Sequence, residues 1–335
     1  MTKVRSAHFL LVVWFAVVGS WSCSFNPSAG EQGFYPGRLR IERGKNLSPE
    51  EREIEARFAK DLEQNTDRVI ARYQEEFGNE INTDNARELS TDYAPGGIGA
   101  TDSQTQAARA SWSNAVHEPA SALVKEIYRR ELTKPAGPNN LDLVVFTAGG
   151  TAAGKTTAIK AVPGVANVVR FAQIIYDSTL SSSQSSLEKI AQALDASKAV
   201  SIVYVYRDPL EAFVNGALSQ SDRMGRAVPL DVFLHTHINA PKVVLQTADK
   251  YKGDPKVAIS VIDNSRGRGK AVVADLNFIR EVTHKYTPEG LRAKVSQALE
   301  DAYEKGKRGE TGGISEAVYR AVKGDAAKGI YGSPG

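Results

Sequence analysis

The stretch AGGTAAGKTT, residues 148–157, places four residues between Gly149 and Gly154 and follows them directly with Lys155 and Thr156. Glycines so spaced allow a tight loop whose backbone N–H groups surround an anion, and a helix starting at the lysine adds its positive end. A lysine there reaches the β- and γ-phosphates of a nucleoside triphosphate, and the neighbouring threonine hydroxyl binds Mg²⁺. Gly149, Gly150, Thr151, Ala152, Ala153, Gly154, Lys155, Thr156 and Thr157 therefore form a candidate binding loop for ATP with Mg²⁺. A Gly-rich turn that binds nothing can carry the same letters. Here the loop follows LDLVVFTAG, an apolar run suited to a strand buried on both faces, and precedes the helix-forming KTTAIKAV.

A carboxylate is needed close to the metal. Asp177 closes the run FAQIIYD, at the carboxyl end of a strand, where doubly wound sheets bind ligands. It could hold a water on Mg²⁺, act as base for an acceptor, or bond its own turn. Asp208 in DPLE reads as a helix cap, with Pro209 and Glu211 behind it. His235 and His237 in FLHTHINA are spaced as metal ligands on a strand would be, but no third ligand accompanies them, and they read as structural. Asp263 and Asn264 close the last apolar run, near where a nucleotide base would lie.

Transfer of a phosphoryl group to a hydroxyl also needs a base for the acceptor. Ahead of the loop, INTDNARELSTDY supplies Asn82, Asp84, Arg87 and Tyr93, and AVHEPASALVKEIYRREL supplies His117 and Glu118 on a helix. Asp84 or Asn85 could instead cap a helix, and His117 could be a core or surface histidine. Behind the loop, SQSDRMGRAVPL carries Arg223 and Arg226.

Together these pieces resemble the zeta-toxin kinases, P-loop enzymes that phosphorylate a sugar hydroxyl of UDP-N-acetylglucosamine. In that family the Asp element follows the P-loop; here it precedes it, as in a circular permutation. The resemblance covers roughly residues 80–280. It implies Asp84 as general base, Arg87, His117 and Glu118 at the acceptor, and Thr156 with Asp177 at the metal. It further implies Lys155, Arg223 and Arg226 on the moving phosphoryl group, where preorganised guanidinium groups lower the barrier. The expected partners are a small-molecule acceptor and an antitoxin-like inhibitor, with no nucleic acid. Two alternatives stand beside this reading: a nucleotide or nucleic-acid-end kinase with Asp177 as base, and a non-catalytic, membrane-anchored ATP-binding module.

The elements that must position these residues follow from pattern. AVSIVYVYRD, KVAISVIDN and VVRFAQIIYD repeat the apolar-run signature, with helical segments between, which predicts a mostly parallel sheet covered on both faces. The expected fold is a three-layer α/β P-loop NTPase with helices added at both ends. Ser48, Pro49 and Glu51 predict a capped helix start, and an apolar stripe from Ile54 to Phe77 continues it to Gly78. TKPAGPNN, residues 133–140, reads as a loop, and residues 286–335 as polar helices. The expected division is a targeting segment over 1–23, a Gly/Pro-rich tether over 24–46, and one domain over 47–335. That domain comprises a helical part to 135, a loop-bearing core and lid over 140–285, and the C-terminal helices.

With 42 Lys plus Arg against 39 Asp plus Glu, the 335-residue chain is too balanced to argue for nucleic acid from charge. The N-terminus has Lys3 and Arg5, then an apolar run from Phe9 to Val18, then Cys23, the single cysteine. Ten apolar residues are about half of what spans a bilayer as a helix. The pattern predicts export or anchoring through the N-terminus, with Cys23 as the lipidated residue of a lipoprotein signal or the site of plain cleavage. An anchor facing inward is the other option. One cysteine rules out a Cys-based zinc site and an internal disulfide.

Overall fold

The computed structural model describes residues 39–267 and 269–324. The targeting segment and most of the expected tether lie outside the described residues. No helix among the described residues is long and apolar enough to cross a membrane.

Among the described residues two helices come first, α1 (Pro49–Gln64) and α2 (Thr66–Phe77). Ser48 and Glu51 form the predicted capping box, with Pro49 at the first helical position. The single helix expected over 48–77 is broken at Asn65. Its side chain bonds Asp61 Oδ1 at 2.7 Å, a local bond that competes with helix continuation. Residues 39–46, expected within the tether, instead run against α1. Ile41 is buried in the core, its N–H donates to Glu63, and the Gly44 N–H donates to Glu55 at 2.7 Å.

Gly78, at φ 61°, ends α2 and turns the chain into the two-residue strand β1 (Glu80–Ile81). Next come α3 (Thr83–Arg87), α4 (Ser103–Trp112), α5 (His117–Leu132), β2 (Leu141–Ala148), α6 (Lys155–Ala161), α7 (Pro163–Arg170) and β3 (Ala172–Asp177). Then follow α8 (Ser183–Asp195), β4 (Ala199–Tyr206), α9 (Pro209–Ala212), a π-helical segment (Phe213–Leu218), α10 (Ser219–Met224) and α11 (Leu230–Lys250). The chain closes with β5 (Val257–Asp263), β6 (Val272–Ala274), α12 (Leu276–Thr283), α13 (Pro288–Lys307) and α14 (Glu316–Lys323). The run VVRFAQIIYD is strand only from Ala172, because Pro163 starts a helix that reaches Arg170.

Among the described residues six strands form one sheet in the order β1-β3-β2-β4-β5-β6, parallel except for β6. The chain is therefore a mixed α/β protein. Alternation along β2 explains how both faces are covered. Val144 and Phe146 pack with α5 and α8, while Leu143 and Val145 pack with α6 and α7. A third cluster joins Phe213 and Leu218 of the π segment to Phe233 of α11 and Leu291 of α13. The first strand of the chain pairs with β3, Glu80 opposite Ile175 and Ile81 opposite Tyr176. That pairing brings the carboxyl end of β1 to the sheet edge where β2 and β3 end.

Candidate functional site

The loop between β2 and α6 is shaped by close packing. Gly149 sits at φ 141°, and a Cβ there would meet the Val205 carbonyl oxygen at 2.4 Å. Gly154 sits at φ 77°, with Asn264 Nδ2 only 2.8 Å from where its Cβ would be. Only glycine meets both demands. Ala152 also has a positive φ of 60°, and Gly216 leaves room for its methyl group.

Side chains from other elements hold the loop. Asn264 Nδ2 donates to the Ala153 carbonyl at 2.8 Å. Thr236 Oγ1 accepts from the Thr151 N–H at 3.1 Å, and His237 Nε2 bonds the Thr151 carbonyl at 2.8 Å. Both backbone groups of Thr151 are thus held from α11. Burial, partly offset by the bond to Thr151, lowers the His237 pKa to about 4, so the ring is neutral and Nε2 donates. FLHTHINA is helix rather than the strand its spacing suggested. On a helix, positions two apart face different sides, so exposed His235 bonds Asn239 while His237 turns to the loop. A metal pair is thereby excluded.

Lys155 begins α6, and its ammonium lies 3.6 Å from Asp177 Oδ1. Thr156 and Thr157 follow in the first turn, exposed. Asp177 ends β3 and also accepts from the Thr147 hydroxyl of β2. Its other oxygen accepts from Asn82 Nδ2 at 2.7 Å. The Asn82 Oδ1 in turn caps α3, accepting from the Asp84 N–H at 2.7 Å. Asp84, Asp177 and Lys155 therefore lie along one bonded path. Tyr73 of α2, fully buried, fixes the turn: its hydroxyl bonds the Glu80 and Asn82 carbonyls and accepts from the Asn82 N–H at 2.9 Å. Burial pushes the Tyr73 hydroxyl well above its ordinary range, so it remains protonated. No pattern in residues 66–77 beyond an apolar stripe signalled this bond.

The Asp84 side chain is 54% exposed and pairs with Arg87 at 3.0 Å. Arg87 Nη2 donates to His117 Nδ1 at 2.6 Å. A guanidinium can only donate, so Nδ1 accepts and Nε2 carries the hydrogen. Burial and the Arg87 charge lower the His117 pKa to about 4, which keeps the ring neutral. The Glu118 charge acts on Glu55 of α1, where it adds to the burial that raises the Glu55 pKa.

Arg223 and Arg226 part company. Arg223 is exposed and folds back on the Ser219 carbonyl of its own helix at 3.2 Å. Arg226 is held by Glu88. Burial works against its charge, but Tyr93, Asp84 and Glu88 together hold its pKa above the ordinary value. Glu88 is itself buried and bonded to Arg109 of α4 at 2.9 and 2.5 Å. The sequence contains no spacing that singles out Glu88 or Arg109, because their pairing spans twenty-one residues.

Asp208 caps α9 as expected, accepting from the Leu210 and Glu211 N–H groups, and its other oxygen takes Lys285 and Tyr286. Asp263 pairs with Arg266 at 3.3 Å. Among the described residues no cluster of His, Cys, Asp and Glu could hold a metal by itself.

No family model matches the chain, and no curated protein sequence matches it. Among solved structures, one to which it is similar is the native AvrRxo1-ORF1:-ORF2 complex, at 14% identity. The likeness covers 67% of this chain and 95% of that chain, with a TM-score of 0.38, too low to bear on function.

Proposed function

We propose that the protein is a P-loop kinase of zeta-toxin type, passing the γ-phosphate of ATP to a hydroxyl of a small molecule such as a UDP-sugar. The observation that carries this reading is the path from Asp84 through Asn82 to Asp177, and on to Lys155 at 3.6 Å. It brings the proposed base to the lysine end of the loop, although the two are encoded far apart.

The residues present suit the nucleotide. Gly149 and Gly154 stand where any Cβ would strike the loop's own supports, so the cradle is closed to larger residues. Lys155, the Thr156 hydroxyl and the Asp177 carboxylate supply the donor set that a phosphate and Mg²⁺ require. Bound there, Mg²⁺ would supply charge neutralisation at the phosphates.

Asp84 would take the proton from the acceptor hydroxyl. Its carboxylate is exposed, and Arg87 orients it while neutral His117 fixes Arg87. Asp177 is less suited to that role, because both of its oxygens are engaged by Thr147, Asn82 and Lys155. Arg87 Nε, Ser90 Oγ and Arg226 Nε are buried without a hydrogen-bond partner among the described residues. Unpaired buried donors call for an explanation, and an acceptor's polar groups would satisfy them. Arg226 would stabilise the moving phosphoryl group; Arg223, as it lies, would not.

The test is mass spectrometry of sugar nucleotides incubated with the protein and ATP, looking for a gain of one phosphate. Asp84→Asn should abolish transfer while nucleotide binding survives, and Lys155→Ala should lose both. Unchanged transfer in Asp84→Asn would move the base to Asp177. ATP binding with no transfer to any acceptor would favour a non-catalytic module. An antitoxin-like inhibitor belongs to the same reading and should block transfer by covering the Asp84 side.

A further inference from the structure

Arg226 reaches Glu88 from a lid segment fastened by its backbone. Gly225, at φ 69°, lies so close to α4 that a Cβ would stand 2.1 Å from the Gln106 carbonyl oxygen. The next residue sends its guanidinium to Glu88, on the turn that directly follows α3 and its Asp84. None of the side-chain bonds described for Arg226 goes to residues 149–157.

Glu88 is a rigid anchor. It is 3% exposed and Arg109 is 1% exposed. Arg109 grips both Glu88 oxygens and also donates to the Ala100 carbonyl at 2.5 Å. The Gly99 N–H adds a bond to Glu88 at 3.2 Å. With Arg109 already pairing the carboxylate, Arg226 is a second cation on one buried anion. A second, partly buried guanidinium on a carboxylate that is already paired is weak evidence for stability and needs another reason. The placement supplies one. Glu88 is the C-cap of α3 and stands one helical turn after Asp84, so the anchor of Arg226 and the Asp84–Arg87 pair share one short helix.

We infer that Glu88, locked by Arg109, is a positioning residue that fixes Arg226 beside Asp84, so that base and lid arginine are carried by one packed unit. The role of Asp84 in this inference rests on the kinase reading above. The docking of the lid on Glu88 does not.

Hydrogen exchange with mass spectrometry on the full chain, following residues 219–229, tests the docking. Glu88→Gln should speed exchange there at least tenfold, with strands β2 and β4 unchanged. Arg226→Met, which leaves the Arg109–Glu88 pair intact, should do the same if Glu88→Gln fails to fold. Exchange unchanged in whichever variant folds overturns the inference. With an acceptor in hand, Glu88→Gln should lower kcat ten- to a hundredfold while KM for ATP stays within twofold. Its loss should not multiply with that of Arg226→Lys, and Glu88→Asp should recover part of the rate. Multiplying losses, or an unchanged kcat, overturn the positioning role. A wild-type protein that transfers no phosphate but shows the exchange response sinks the kinase reading and leaves the docking standing.

Discussion

Asn82 donates to Asp177 at 2.7 Å across the junction of β1 and β3, and this one amide joins the Asp84 helix to the lysine end of the loop over 149–155. Its two ends do different work: the oxygen caps α3 and the nitrogen satisfies a carboxylate. Asn82→Ala should lose the cap, worth about 1 kcal/mol, and deprive Asp177 of a donor, for a total of roughly 1–3 kcal/mol. Asn82→Asp should keep the cap but set a carboxylate against Asp177. Its deficit should shrink as pH falls and one of the two acids takes a proton. Urea unfolding at pH 7 and pH 5 separates the two variants.

Gly150 is a packing test of the loop. A Cβ there would stand 2.4 Å from the His237 ring. Gly150→Ala should therefore destabilise by roughly 1–3 kcal/mol, through overpacking, and weaken nucleotide binding. His237→Ala opens that space, so the double variant should lose less than the sum of the two single changes. Thermal unfolding and titration with a fluorescent ATP analogue measure both effects; simple additivity would mean that the ring and the loop do not press on each other.

The pH dependence of stability should carry the mark of His237. Its pKa falls from 6.5 to about 4 in the folded chain, first through burial. Between those values the unfolded chain takes up a proton that the native chain refuses. Stability therefore falls as pH drops from 6.5 towards 4 and is fully present above 6.5. His117 acts in the same direction. His237→Gln should reduce the slope of unfolding free energy against pH in this window by up to about 1.4 kcal/mol per pH unit. An unchanged slope would mean that the ring protonates as freely in the folded state as in the unfolded one.

Arg223 and Arg226 should behave differently. Arg223→Ala removes an exposed side chain that bonds the Ser219 carbonyl of its own helix and should change stability by less than about 0.5 kcal/mol. Arg226→Ala breaks a partly buried ion pair with Glu88 and should cost roughly 1–3 kcal/mol. If transfer is observed, the loss of kcat should follow the same order. Equal losses would show that Arg223 swings into the site during turnover.

Local chemistry was legible in the chain. The capping box at Ser48, the cap at Asp208, and the buried runs that became β2, β4 and β5 depend on contacts within a few residues, whereas the cap of α3 is Asn82 rather than the expected Asp84 or Asn85. Such contacts leave a spacing that can be read directly. The glycines of 149–154 are of the same kind, because a tight loop excludes other residues by itself. What the sequence misjudged also has a local cause: the Asn65 side-chain bond split one helix into two, and Pro163 shortened a strand.

The sequence by itself determined the loop, its lysine, and the strands and helices that flank it. Only the tertiary structure decided which carboxylate faces that lysine, which arginine is docked and which histidine braces the loop. Those relations run through β1 on β3, Glu88 between Arg109 and Arg226, and α11 on Thr151. Each joins residues distant in the chain, where pairing is set by sheet register and packing and no periodicity records it.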